Sequence, residues 1–156
     1  MPYDRQAAVA YARQWAYRRN PVYLDFENLG GDCTNFASQV LRAGGLPMDS
    51  TPVYGWYYLD SARRTASWTG VEYLYRFLLG LDTGRPRARV VGLGEVAPGD
   101  VVQLAFTGQR FQHSPVVVAV EGPDAARILV AAHTSDAYSR PLSSYPYSAA
   151  RPMHIL

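Results

Sequence analysis

The chain has no lysine and a single cysteine. All 15 of its basic residues are arginine, and they are scattered, with Arg18-Arg19, Arg63-Arg64 and Arg85-Pro86-Arg87-Ala88-Arg89 the only clusters. Nucleic-acid binders carry a continuous basic stripe interleaved with aromatics, so no nucleic-acid partner is expected, and the 85–89 cluster reads as a solvated loop. One cysteine excludes an internal disulfide, and one sulfur ligand does not make a zinc site. There is no run of about 20 apolar residues, so no membrane partner is expected. Met1 to Arg5 leads straight into an amphipathic pattern, without the apolar core of a secretory signal. The expectation is a cytoplasmic protein, or an extracellular one if the sequence is a domain cut from a secreted precursor. Oligomeric state has no signature. With 156 residues, 48% of them hydrophobic and 18% charged, the composition fits one globular domain over 1–156 with a sizeable core.

What is present centres on Cys33, in Gly30-Gly31-Asp32-Cys33-Thr34-Asn35-Phe36. Two glycines lead in. A helical pattern leads out, with Phe36, Ala37, Val40 and Leu41 on one face, and stops at Gly44-Gly45. The sulfur is therefore expected in the first turn of a helix over roughly 32–43. There, free N–H groups and the macrodipole favour an anion and lower a thiol pKa. Asp32 reads as the N-cap.

Of the three histidines, two fall at the ends of expected strands. His113 opens a strand through Val120, and His133 closes Ile128 to His133. The turn signal Glu121-Gly122-Pro123-Asp124 pairs the two as an antiparallel hairpin, which brings the histidines near each other without fixing whether they share a face. A helix-start cysteine beside a strand histidine is a thiol-hydrolase constellation. Cys33 would be the nucleophile and His113 the base. His133 would orient the base, with Asp136 the competing candidate. A zinc site built from Cys33, His113, His133 and Asp136 is the alternative chemistry, but nucleophilic use already accounts for the cysteine, so neither metal nor cofactor is expected.

The block Gly-Gly-Asp-Cys-Thr-Asn-Phe-x-Ser-Gln at Gly30 to Gln39 resembles the bacterial putative amidase domain family, which belongs with the papain-like and NlpC-type cysteine peptidases. Weaker likenesses lie in chain order at Ala12 to Pro21 with its Asn20-Pro21 end, Gly55-Trp56-Tyr57-Tyr58, Ser67-Trp68-Thr69, Pro98-Gly99-Asp100-Val101, His113-Ser114 and Ala132-His133-Thr134. The resemblance implies a thiol protease or amidase with nucleophile Cys33, base His113 and a polar orienting residue that His133 matches best. Thr34-Asn35 departs from the small Ser-Gly pair of NlpC-type enzymes.

Along the chain, Asp4 is expected to cap a first helix with Ala8, Tyr11, Ala12 and Trp15 inward, stopped by Asn20-Pro21. A capping box, Thr69-x-x-Glu72, is expected to open another over Val71 to Leu78. Strands are expected at 100–106, 114–120, 128–133 and 153–156. Helices first and strands later give an α+β fold, with N-terminal helices packed on an antiparallel β-sheet, as in papain-like folds. The expected activity is cleavage of a peptide or amide substrate through an acyl-enzyme. Acyl transfer by the same machinery, or a catalytically silent binding module, are the alternatives.

Overall fold

The structure, a computed structural model, describes residues 2–156. Helix α1 (Arg5–Trp15) begins where Asp4 accepts a hydrogen bond from the Ala7 N–H, the expected cap. Helix α2 (Cys33–Ala43) carries the cysteine. Phe36, Ala37, Val40 and Leu41 are fully buried on it, and Gly45 takes the left-handed conformation just beyond its end. A small hairpin, β1 (Tyr58–Asp60) and β2 (Arg63–Arg64), precedes α3 (Ala66–Thr69) and α4 (Val71–Leu78). The capping box at Thr69 does not form. Thr69 ends α3, Gly70 caps α4 without a side-chain bond, and the Thr69 hydroxyl accepts instead from Arg64 at 3.0 Å.

The second half is an antiparallel sheet, the α+β architecture expected. Its strands are β3 (Ala88–Val90), β4 (Val101–Thr107), β5 (Arg110–His113), β6 (Val116–Val120), β7 (Ile128–Ala132), β8 (Ala137–Pro141) and β9 (Ala149–Ile155). They lie in the order β3-β9-β4-β6-β7-β8, with β5 also on β4. The expected single strand from His113 is in fact two. His113 faces Leu104 and Val116 faces Val101, one shared register along β4. Pro115, which has no N–H to donate, splits the ladder between them.

Period-2 alternation buries both faces of the sheet. Val101, Val116, Val118 and Met153 join the helices in one core; Val102, Leu104, Val117 and Val130 form a second core with Leu142 and Tyr145 beneath the C-terminal loops. Trp56 and Trp68 stack on each other in the first core and are fully buried. Buried Asp100 ties the first helix to the last strand. It accepts from Arg5 at 2.7 Å, His154 Nδ1 at 2.8 Å and the Ile155 N–H at 3.0 Å. Among the described residues no helix is long and apolar enough to cross a membrane.

Candidate active site

Cys33 stands at the first position of α2, as its sequence setting implies. The approach is built by Gly30 and Gly31, both left-handed at φ near 106° and 105°, a conformation that L side chains resist. A side chain at Gly31 would also press on Thr134 Oγ1. That hydroxyl accepts the Asp32 N–H at 3.0 Å, so the turn after β7 closes over the loop before the cysteine.

The sulfur lies 3.8 Å from the Gln112 carbonyl oxygen and 3.7 Å from Thr34 Oγ1. The Ser114 N–H also reaches it. Main chain on both sides of His113 thus flanks the sulfur, although no hydrogen bond joins Sγ to the imidazole. Thr34 continues inward, meeting Ser114 Oγ at 3.0 Å, which in turn accepts from Gln103 at 3.3 Å. Burial raises the Cys33 thiol pKa above its ordinary value; hydrogen bonds from Thr34 and the Ser114 N–H oppose this, and the Asp32 charge adds to it. The helix-end effect expected to lower the thiol is outweighed by desolvation.

His113 is buried on the sheet face opposite the helices, the face of its register partner Leu104. Its ring sits between those of Tyr145 (5.4 Å between centroids) and Phe106 (6.2 Å), and it takes no hydrogen-bond partner among the described residues. Burial, and then the Arg140 charge, push its pKa down to about 4. Burial thus disfavours the charged form of both the thiol and the imidazole.

His133, expected beside His113 as its orienting residue, is not brought to that ring: the two lie on opposite faces of the sheet. Val116 opposite Ala131 extends to Ser114 opposite His133, so Ser114 and His133 share the helix-side face and His113 is turned to the other. His133 stacks on Phe36 at 4.1 Å, its Nδ1 meets Asp32 Oδ2, and its Nε2 donates to the Trp15 carbonyl at 2.8 Å. Asp136 does not take the role either: it is held by Arg19, at 2.9 and 3.1 Å.

Asp32 occupies the N-cap position, yet its carboxylate does not cap the helix. It accepts from the Phe26 N–H at 2.8 Å, from Asn35 Nδ2 at 2.8 Å and from His133. Burial alone would raise its pKa; those three hydrogen bonds outweigh burial and lower it. Asn35 also donates to the Leu24 carbonyl at 3.0 Å and accepts from Trp68 Nε1 at 3.1 Å. Asp32, Thr34 and Asn35 were visible as the neighbours of the cysteine, but their long-range partners were not. Tyr145 and Arg140, which flank His113, carried no local signal at all.

Among the described residues the buried Tyr145 hydroxyl has no hydrogen-bond partner. Burial raises its pKa, an effect that Arg140 over the ring opposes without forming a well-aligned bond to the oxygen. An orphaned buried hydroxyl costs free energy, so Tyr145→Phe is expected to keep or raise the melting temperature. A fall of more than about 1 kcal/mol in a denaturant titration would mean that the hydroxyl is satisfied.

Among the described residues no three His, Cys, Asp or Glu side chains cluster as a metal site. The model of the family described as Putative amidase domain matches residues 2–156. A relative in Bacillus subtilis (strain 168), the uncharacterized protein YhbB, is 39% identical over 119 residues, which is 75% of this chain and 37% of the relative. The chain thus spans well under half of that relative's length. No solved structure matches.

Proposed function

We propose, because the chain belongs to the putative amidase domain family, whose name points to amide hydrolysis in general, that it is a cysteine-dependent amidohydrolase or peptidase. In this reading it is a single papain-like, NlpC-like domain over 1–156. The observation that carries the reading is the Cys33 sulfur, at a helix start and packed against the main chain on both sides of His113.

The chemistry follows from the neutral resting pair. As Sγ adds to the amide carbonyl carbon, His113 takes the thiol proton, and the carbonyl oxygen gains the negative charge. N–H groups at the start of α2 supply the field for that oxyanion. The imidazolium then gives its proton to the leaving amine as the C–N bond breaks, and a thioester remains on Cys33. Water, deprotonated by His113, attacks the thioester and restores the thiol. His133 and Asp32 act at one remove, fixing the loop in front of the sulfur. An amine in place of water would make the same machinery a transferase, which product analysis with added amines detects.

A neutral pair has a definite pH signature. His113 must be unprotonated, so kcat/KM is expected to rise as pH passes upward through about 4. Alkylation of Cys33 by iodoacetamide is expected to follow an apparent pKa above the ~8.5 of an ordinary thiol. An alkylation profile with a plateau already at mildly acidic pH would show a thiolate–imidazolium pair instead. The function itself is tested by mass spectrometry of the protein after incubation with peptidyl thioesters. An acyl adduct on Cys33 that water slowly releases supports it; no adduct there, and no iodoacetamide reaction at any pH, overturns it.

A further inference from the structure

We propose that Arg140 is a carboxylate-recognition site in the substrate cleft, so that the preferred substrates carry a free carboxylate close to the scissile amide. The inference rests on the Cys33–His113 reading and names the substrate class of that site.

The argument begins with the backbone. Val130 faces Arg140 across the β7–β8 pair, whereas Ala132 faces Ala137, so β8 holds one extra residue between these pairings. Ser139 takes the left-handed conformation there, at φ 57°. A non-glycine residue adopts it at a cost, and a bulge of this kind re-aims the side chain that follows. Without the extra residue Ser139 would face Val130, and Arg140 would turn to the helix side. With it, Arg140 shares the face of Val130, Leu104 and His113.

On that face the guanidinium is held in place. Nε donates to Ser144 Oγ at 2.7 Å, Nη2 donates to the Ser144 carbonyl at 3.1 Å, and the group lies 3.7 Å from the Tyr145 ring centroid. His113 packs on the same tyrosine ring. Arg140, Tyr145 and His113 line one open cleft of about 380 Å³, with Gln112 and Thr134 on its rim.

Among the described residues no carboxylate pairs with Arg140. Glu27, which accepts from the cleft residue Thr134, and Asp136, which follows the cleft residue Ser135, are engaged by Arg19 at 3.2 and 2.9 Å. Among the described residues Nη1 makes no hydrogen bond, the two that Arg140 donates coming from Nε and Nη2. A fixed guanidinium with an open edge, partly withdrawn from water, fits a planar carboxylate, and an anion there offsets the charge that disfavours protonation of His113. Imidazolium formation during attack on an anionic substrate is thereby made easier than on a neutral one.

The experiment compares second-order alkylation of Cys33 by iodoacetate and by iodoacetamide, with N-acetylcysteine as the free-thiol reference. In the wild type, the iodoacetate-to-iodoacetamide ratio is expected to exceed the reference by about tenfold and to fall with added salt. Arg140→Gln is expected to bring the ratio to the reference value, and Arg140→Lys to keep most of the excess. Melting temperatures show that both variants remain folded; if Arg140→Gln unfolds, the lysine variant and the salt dependence carry the test. A wild-type ratio equal to the reference, or an excess that survives Arg140→Gln, overturns the carboxylate site while leaving Cys33 a reactive thiol. If neither reagent modifies Cys33, the nucleophile reading fails, and this inference with it.

Discussion

Cys33→Ser is expected to remove turnover by three or more orders of magnitude, roughly the scale on which a nucleophile's loss is felt, while the fold survives. The serine oxygen is nearly isosteric with sulfur, and the site already offers polar neighbours in Thr34 Oγ1, the Gln112 carbonyl and the Ser114 N–H. Folding should tolerate it. Catalysis should not, because a hydroxyl is far less acidic than a thiol and His113, at about 4, is a weak base. The Cys33–His113 pair works only if the acid is soft and the proton is handed over during attack. The measurement is kcat on any substrate the wild type cleaves, with circular dichroism and thermal melting alongside. Activity within tenfold of wild type would sink the thiol mechanism.

Asp32→Ala should be the most damaging substitution for stability, costing about 3 kcal/mol or more, because each buried donor left without its acceptor costs about 1–3 kcal/mol. The carboxylate gathers the Phe26 N–H, the Asn35 amide and His133 in a place fully withdrawn from water, and each would lose its acceptor. His133→Ala should cost a similar amount by leaving Asp32 and the Trp15 carbonyl without their donor. A loss of activity in His133→Ala is then expected to come through the loop that carries the cysteine, not through His113. The pH dependence gives an independent check. Asp32 is held below its ordinary pKa, so its contribution is complete above the unfolded value of ~3.9 and is lost as pH falls through the folded one. Wild-type stability should therefore decline below about pH 4 more steeply than that of Asp32→Ala. A His133→Ala protein with wild-type stability and greatly reduced kcat would restore His133 to a direct catalytic role.

The sequence was most informative where the signal is local. Apolar spacing placed α2 to within a residue, and Asp4 marked the start of α1, because helix periodicity and capping involve residues three or four apart. Thr69-x-x-Glu72 misled for the opposite reason. The local pattern was present, but Arg64 and the Gly70 break drew the chain into two short helices. The strands missed were short ones such as β1, β2, β3 and β5, and β8 has its alternation broken by a bulge.

By itself the sequence determined an α+β domain and a cysteine at a helix start with a histidine on a strand. Those are properties of single segments, fixed by side-chain period, glycine and turn chemistry. Only the tertiary structure decided which histidine belongs to which face. Strand register is set by pairing across the sheet, and a shift of one residue reverses every side chain. Pro115 splits a strand without changing its register, so His113 stays opposite Leu104 and His133 stays with the helices. Burial decided the direction in which both groups are shifted. Desolvation depends on what the rest of the chain piles around Cys33 and His113, and here it overrides the helix end that favours a thiolate.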